Sequence, residues 1–394
     1  MLRIISKAGG EQCSNGIVSY NNRSKNSKKE YKSNTMFEPV TLSCNINCLK
    51  IIIKLNNVFG LVPHYNFNKG SIKKSYSFLW VLIHLATILY YIYDCISLSI
   101  DPNIKGTTVT EVPLSFLPAM SIFKTFSLDS QIWKQYFNNT LDLEKYFKNK
   151  LPNDKHHSMV AKFYSTLLLT HLIIIMIILF TVWHKNPFDT AFLAVIYIWE
   201  TYNLVIFNLF INAMAMFLLV SYKNLNELLM VDSSEQILIE IGRVFGHLHQ
   251  TNELFNLVFG QQLLLVTVYV VLDILDLLNM WMLYFLIDGH DQLPLYIYEE
   301  FGYFLLLWMS YSCIVFSCDL TKKEAKYFTQ NCHKIHLNQP TNRKLVDLAR
   351  TSEILGPVFT CSDYVPVDRQ IFSSIANVVL AYLIVIINFN NSKA

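Results

Sequence analysis

Three long apolar segments of the sequence are interrupted by carboxylate, amide and aromatic side chains. Glu200 lies in the first segment, Asp273 and Asp276 lie one helical turn apart in the second, and Glu299 lies near the start of the third. An ionisable group at membrane depth costs about 2.5–3.5 kcal/mol to insert, so each needs a partner, water or a function. Aromatic walls with a few polar groups suit a small-molecule pocket. The predicted ligand-binding residues are Trp199, Glu200, Tyr202, Asn203, Asp273, Asp276, Trp281, Glu299, Tyr303 and Trp308.

These residues also have purely structural explanations, which the sequence leaves open. Trp281 suits the aromatic belt at a membrane surface, and Asp273 and Asp276 could stay protonated or pair inside a helix bundle. Glu299 could be solvated near the surface, whereas Glu200 is the strongest candidate because the sequence around it is otherwise apolar. Acidic and aromatic groups could bind either a sugar, through its hydroxyls, or a cationic alkaloid, through carboxylate and cation–π contacts.

The last apolar segment ends in an amide beside an aromatic residue. Ala381, Val385, Asn388 and Phe389 share one stripe of a helix with 3.6 residues per turn. Around a symmetry axis, Val385 and Phe389 could close a pore by dewetting, and the Asn388 amide could offer its oxygen to a partly hydrated cation. The stripe could instead pack on neighbouring helices. Tyr382 lies off the stripe, and its hydroxyl is expected to bond to a neighbouring helix.

The composition is that of a polytopic membrane protein. The 394 residues are 53% hydrophobic and only 15% charged, and the apolar residues gather in blocks of about 20, the length that crosses a bilayer. The class is therefore all-α. Seven spans are predicted at Tyr76–Leu98, Thr108–Leu128, Ala161–Trp183, Phe188–Tyr222, Phe255–Ile287, Ile297–Leu320 and Arg369–Phe389. The fourth and fifth exceed the minimum length, which indicates helices that tilt or continue into the cytosol.

The distribution of positive charge predicts the orientation. When the segments between spans are assigned to alternate compartments, and Lys124, Lys162 and Arg369 near the span ends are counted with the adjoining segments, all but three of the 32 Lys and Arg residues fall on one side. Cytoplasmic loops hold such an excess, so the N-terminus is predicted inside and the C-terminus outside. In this orientation the predicted ligand-binding residues lie in the outer half of the membrane. Asp368 and Arg369 precede the last span on the cytosolic side, where they could pair with each other, pair with another subunit, or cap the helix.

Several classes of function are disfavoured. The eight cysteines show no Cys-x-x-Cys pair or set of histidine partners, so neither a metal nor another cofactor is expected. The sequence has no glycine-rich phosphate loop, His-Glu-x-x-His or Gly-x-Ser-x-Gly motif, so an enzyme is not expected. A net charge of +3 gives no reason to expect nucleic acid as a partner. A transporter should show matching broken helices in two halves, and no such repeat is present.

Residues 1–36 form a tail rich in Ser, Asn and Lys, which is predicted to be disordered, basic and cytosolic. It lacks the apolar region of a signal peptide. Met36 opens a more regular segment, so both Met1 and Met36 are possible starts of the native chain.

The closing pattern of Ala381 and Tyr382, five aliphatic residues, then Asn388 and Phe389 resembles the insect gustatory receptor family, which is related to the insect odorant receptors. That family ends its seventh helix in Thr-Tyr, five hydrophobic residues and Gln-Phe, so here Ala replaces Thr and Asn replaces Gln. Two further segments are similar to the family, Leu55–Pro63 before the first span and Gly246–Gln261 before the fifth, the latter with Leu248, Asn252 and Asn256. A G-protein-coupled receptor, the alternative with seven spans, has its N-terminus outside.

The resemblance implies a taste receptor of the plasma membrane of a sensory neuron, acting as a ligand-gated, non-selective cation channel. Four like subunits, identical or not, would surround a pore lined by residues 369–391, with pore and gate residues Ala381, Val385, Asn388 and Phe389. Residues 37–320 would form six helices around the tastant pocket, and residues 321–368 a cytoplasmic anchor. The partners implied are a small-molecule tastant, membrane lipid, the other subunits and permeant cations. Bitter or plant-derived tastants are favoured because they are recognised by the family's largest group, and a sugar is the alternative.

Overall fold

The computed structural model describes residues 127–151, 190–231, 233–286 and 293–391, with residues 53–54, 56–57, 61–66, 71–73, 82, 85–86, 89, 123, 173 and 176. It describes only the backbone of residues 73, 190–204, 280, 282–286, 293–300, 303, 386–387 and 389–391. The predicted tail, residues 1–36, lies outside these ranges, as do the first three predicted spans apart from isolated positions.

The described chain is almost entirely helical, as the sequence predicts, with two small antiparallel sheets in addition. In chain order the elements are β1 (His64–Asn66), β2 (Ser71–Lys73), α1 (Ser130–Lys150), α2 (Thr190–Val231), α3 (Glu235–Leu286), α4 (Leu293–Asn338), α5 (Arg343–Ile354), β3 (Thr360–Cys361), β4 (Val365–Pro366) and α6 (Gln370–Asn391). Strand β1 pairs with β2, and β3 pairs with β4.

Three helices extend well past the bounds predicted from hydropathy. Helices α2, α3 and α4 contain 42, 52 and 46 residues, so α3 is about 78 Å long, more than twice the thickness of a bilayer's hydrocarbon core. The predicted spans that begin at Phe255 and end at Leu320 are therefore parts of longer helices, each of which continues beyond its apolar part. Three stretches among the described residues are long and apolar enough to cross a membrane: Val205–Val231, Glu235–Asn279 and Phe304–Asn338.

Aromatic side chains fill the core where α1, α2 and α3 meet. The ring of Phe259 on α3 lies 5.0 to 6.5 Å from five other rings, and its own side chain is fully buried. Aromatic pairs at these separations add about 0.5–1.5 kcal/mol each beyond the burial of their area. The five partners are Trp133 and Tyr136 of α1, Phe207 and Phe210 of α2, and Phe255 of α3.

Buried amides and hydroxyls join α2 to α4. Asn208 donates a hydrogen bond of 3.3 Å to the Ser310 hydroxyl, and Ser317 donates one of 2.8 Å to the Asn212 carbonyl oxygen. These four side chains are at most 4% exposed. Because an unpaired polar group in an apolar bundle is costly, such pairs fix the register of two helices whose apolar surfaces alone would tolerate sliding.

Helix α1 is amphipathic and lies against α3. The Asp129 carboxylate caps its first turn by accepting a 3.0 Å hydrogen bond from the Gln131 amide. Near its other end, Lys150 donates a 2.9 Å hydrogen bond to Glu240 of α3. Burial, followed by the negative charge and hydrogen bond of Glu240, raises the pKa of Tyr146 to about 12. Tyr146 is therefore neutral throughout the physiological range.

The connection between α5 and α6 is held on the surface of α3. Asn252 and Asn256 donate hydrogen bonds of 3.0 and 2.6 Å to the Val358 carbonyl oxygen, and Asn256 accepts one of 3.2 Å from the Thr360 amide. A Cβ added to Gly260 would lie 2.9 Å from the Ser362 amide nitrogen. The backbone of the β3–β4 hairpin therefore occupies the space that any larger residue at position 260 would need.

We expect Gly260→Ala to lower the free energy of unfolding by about 1–3 kcal/mol, because the added methyl group meets backbone rather than a movable side chain. The measurement is the thermal unfolding midpoint of the detergent-purified protein. Gly246→Ala is the matched control on the same helix, since among the described residues no atom outside the adjacent helix backbone lies within 4 Å of its added Cβ, and it should be neutral or stabilise the helix by up to about 1 kcal/mol. Equal midpoints for the two variants would contradict the close approach of the hairpin.

Candidate functional site

The side of α6 that carries the predicted pore stripe is not covered by the rest of the described chain. Ile371 and Ile375 of the first turns are buried, whereas Ala381, Val385 and Asn388 are exposed, with 64% of Val385 accessible. For Phe389 only the backbone is described, as part of the same helix. An apolar helix face of this kind must be covered by lipid or by another protein chain.

Tyr382 attaches the middle of α6 to α3. Its hydroxyl lies 2.8 Å from Nδ2 and 3.1 Å from Oδ1 of Asn279. It can accept from the first atom or donate to the second. The expected bond between Tyr382 and a neighbouring helix is confirmed, and the partner is an amide one turn beyond Asp276.

The first turn of α6 is capped by Asp368, one of the roles predicted for that residue. Its Oδ1 accepts a 3.0 Å hydrogen bond from the Gln370 amide, while its Oδ2 accepts one of 2.9 Å from the Lys322 ammonium group of α4. The carboxylate therefore caps α6 and binds α4 at the same time. Asp368 does not pair with Arg369, one of the alternatives left open by the sequence.

Arg369 binds a second carboxylate on α4. Its Nε lies 2.8 Å from Asp319 Oδ2, and Lys323 Nζ lies 2.9 Å from the same oxygen. Both are ion-pair distances, and no described residue forms a hydrogen bond with this oxygen. The Arg369 guanidinium group also lies over the Phe316 ring, 5.2 Å from its centroid, which is within the range of a cation–π contact.

Phe372 packs into a group of aromatic rings on α4. Its centroid lies 5.4 Å from that of Trp308, 6.4 Å from Tyr311 and 5.6 Å from Phe316. Trp308 is therefore level with the first turn of α6, about 15 Å along that helix from Tyr382. The structure does not bring Trp308 to the level of Trp281, which follows Asn279 by two residues.

The structure describes only part of the predicted ligand-binding set. Asp273 is partly buried, and no described residue forms a hydrogen bond with its Oδ2; Asp276 lies one turn further along α3, and 45% of Trp281 is exposed. For the other six residues only a helical backbone is described, on α2 for Trp199, Glu200, Tyr202 and Asn203 and on α4 for Glu299 and Tyr303.

Two grooves of about 600 Å³ each lie away from these residues. One runs between α3 and the β3–β4 hairpin and includes His249, Asn256 and Asp363. The other runs between α4 and the end of α5 and includes Lys326 and His333. Neither groove contains a predicted ligand-binding residue.

The chemistry of the described residues does not indicate a metal or a reactive thiol. Within the described ranges, no group of three His, Cys, Asp or Glu side chains is placed to hold a metal ion. The four cysteines within these ranges, Cys313, Cys318, Cys332 and Cys361, carry free thiols. Burial raises the pKa of Cys361 to about 11, opposed by its contact with Thr267, so this thiol stays protonated and unreactive.

Sequence reasoning did not identify Asn279, Asp319 and Lys322 as partners of α6. The sequence did contain a signal for the charged partners. Asp319 and Lys322, which are oppositely charged, lie three residues apart at the end of one apolar segment, and the oppositely charged Asp368 and Arg369 directly precede the next apolar segment. The pattern shows that two such pairs exist, but only the packing of α4 on the start of α6 brings them together.

Comparison with known proteins shows which family has this fold. Residues 49–391 match the sequence profile of the 7tm chemosensory receptor family. The chain superposes on the insect olfactory receptor OR5 from Machilis hrabei with a TM-score of 0.60 and 14% identity, over 87% of this chain and 98% of that chain. For the same receptor in complex with eugenol the TM-score is 0.58 and the identity 14%, over 88% of this chain and 99% of that chain.

At this identity the structural likeness establishes a shared fold. A search of curated protein sequences finds no match. The resemblance to the insect chemosensory receptors inferred from the closing motif is confirmed by a family match that extends over most of the sequence. This chain belongs to the 7tm chemosensory receptor family.

Proposed function

We propose that this chain is a gustatory receptor subunit that forms a ligand-gated, non-selective cation channel in the plasma membrane of a sensory neuron. Seven helices cross the membrane, with the N-terminus in the cytosol and the C-terminus outside. Four like subunits surround a pore lined by α6. Ala381, Val385, Asn388 and Phe389 face the pore, and the tastant binds in the outer half of each subunit.

The observation that carries this proposal is the uncovered apolar face of α6. Ala381 and Val385 are exposed, Val385 to 64%, although α6 is joined to α3 by Tyr382 and to α4 by charged groups at its start. A membrane anchor has no need of polar links that fix its rotation. A pore helix does need them, because the stripe must face the axis in every subunit.

The segment between α4 and α6 supports the assembly of several subunits. Tyr364 is 80% exposed, Ile354 72% and Val358 54%. All three lie in residues 321–368, the proposed cytoplasmic anchor, where lipid cannot cover them. Large apolar side chains exposed to water indicate a surface that contacts protein.

The proposed tastant is a small molecule with aromatic or cationic character, of the bitter or plant-derived kind. Asp273, with no hydrogen-bond partner on Oδ2 among the described residues, and the half-exposed Trp281 supply a carboxylate and an aromatic face. The related fold of OR5 holds eugenol, a small aromatic compound. A sugar is the second candidate, because the same polar groups would bind its hydroxyls.

Whole-cell recording from cells expressing the chain tests the proposal. We expect at least one compound in a panel of sugars, amino acids, alkaloids and plant phenols, including eugenol, to evoke a cation current. The current should persist when G-protein signalling is blocked, because the receptor is itself the conducting path. A response that disappears with that block would identify a G-protein-coupled receptor instead.

Substitutions in the stripe should change conduction in different ways. We expect Val385→Ala and Phe389→Ala to raise the ligand-free current, because smaller side chains weaken a constriction that closes by dewetting. We expect Asn388→Ala to alter the permeability ratio of sodium to calcium. Leu380→Ala is the control, since Leu380 is equally exposed but lies about 100° around the helix from Ala381. Unchanged leak and selectivity in all three stripe variants would remove them from the pore.

The anchor surface can be tested by changing its charge. We expect Ile354→Glu combined with Tyr364→Glu to reduce the mass of the detergent-solubilised complex from four subunits to one, because the interface would have to bury two carboxylates without partners. Light scattering after size exclusion measures the mass. Ile354→Leu retains the apolar surface and should leave the complex intact. A tetrameric mass for the double variant would show that this surface does not hold the subunits together.

A further inference from the structure

Helix α6 is held by links of two different kinds. In its middle, Tyr382 and Asn279 share a neutral hydrogen bond. At its start, a group of four charged residues, the charge clamp, joins α6 to α4. The charge clamp consists of Asp319, Lys322, Asp368 and Arg369. The clamp lies where the chain enters α6, so any tilt or rotation of the helix relative to α4 must change its distances.

The charge clamp allows a single register. Asp319 and Lys322 lie three residues apart and so face the same side of α4, while Asp368 and Arg369 are consecutive. Each acid meets the base of the other segment, at 2.8 Å for Asp319 with Arg369 and at 2.9 Å for Asp368 with Lys322. Exchanging the partners would place acid against acid and base against base. The like charges therefore oppose any other alignment of the two segments.

Burial of the two carboxylates makes these pairs stronger than ion pairs on an open surface. The side chains of Asp319 and Asp368 are 13% and 17% exposed, whereas those of Lys322 and Arg369 are 31% and 51% exposed. Solvent and salt screen the buried carboxylates less than exposed ones. The Phe316 ring under the Arg369 guanidinium group shields one face of the pair from water.

Asp368 makes the clamp part of the helix itself. One of its carboxylate oxygens caps α6 and the other binds Lys322. Moving the first turn of α6 away from α4 must therefore break either the ion pair or the helix cap. This arrangement favours a two-state link over a gradual displacement.

We propose that the charge clamp holds α6 in the resting position of the channel and that its release is a step in opening. The inference rests on the proposed function, in which α6 lines the pore. It assigns Asp319, Lys322, Asp368 and Arg369 as positioning residues that act on the pore through α6. Helix α4 also carries Glu299 and Tyr303 of the proposed tastant pocket, so a shift of α4 on binding reaches α6 at the clamp.

The first experiment is a charge exchange between Asp319 and Arg369, read as ligand-free cation current per receptor at the cell surface. We expect Arg369→Asp and Asp319→Arg each to raise this current at least about fivefold, the lower end of typical coupling between sites. The variant carrying both changes should return part of the way toward the wild-type current, because the pair is restored with its charges exchanged while Lys323, which lies 2.9 Å from Asp319 Oδ2, would then face a positive charge. Lys134→Glu, an exposed charge reversal on α1, should leave the current unchanged.

The second experiment separates the clamp from the helix cap. Asp368→Asn keeps a side-chain oxygen that can accept from the Gln370 amide, but it removes the charge opposite Lys322. Asp368→Ala removes both. We expect the two variants to raise the ligand-free current to a similar extent. An increase with Ala alone would assign the effect to the cap and overturn the clamp.

The outcomes distinguish this inference from the proposal on which it rests. If the wild type gives tastant-evoked current and the single reversals at positions 319 and 369 leave ligand-free current unchanged, the clamp is wrong and the channel stands. If no variant and no compound produces current in receptors that reach the surface, the channel proposal fails and the clamp fails with it. If a single reversal does not reach the surface, Asp368→Asn, which preserves the cap, decides the matter.

Discussion

The contact between the β3–β4 hairpin and α3 determines where the last helix begins. The Val358 carbonyl oxygen lies between the amides of Asn252 and Asn256, and the missing side chain of Gly260 lets the hairpin backbone lie directly on the helix. From this fixed point only a few residues remain before α6. The position of Asp368 and Arg369 beside α4, and hence the direction of α6, follows from that attachment.

In this bundle, hydrogen bonds and ion pairs between buried polar side chains fix the register of neighbouring helices, which apolar packing alone does not fix. Long apolar helices such as α2 and α4 can slide with little change in buried area, but the pairs Asn208–Ser310 and Asn212–Ser317 can form in only one register. The same principle operates more strongly in the charge clamp, where a shift would bring like charges together. The aromatic core around Phe259 adds stability, and the polar pairs choose the alignment.

The two links of α6 differ in how much movement of the helix they allow. The Tyr382 hydroxyl can accept from Asn279 Nδ2 or donate to Asn279 Oδ1, so this contact tolerates small rotations. The clamp at the other end tolerates little, because Asp368 also caps the helix. In the proposed channel, α6 would therefore pivot about its middle when its cytosolic start is released, which would move the stripe from Ala381 to Phe389 relative to the axis.

The all-helical class, the helices that overlap the last four predicted spans, the family and the bond of Tyr382 to a neighbouring helix could all be predicted from the sequence. These follow from local properties: apolar length, the 3.6-residue period and a motif of nine residues. Hydropathy predicts the part of a helix that enters a membrane, so it does not give the ends of α3 and α4, which continue beyond their apolar parts. The partners of Asp368 and Arg369, the contact of Trp308 with Phe372 and the need for glycine at position 260 are seen only in the tertiary structure. Each depends on residues far apart in the chain meeting within a few ångströms, and no local pattern encodes that distance.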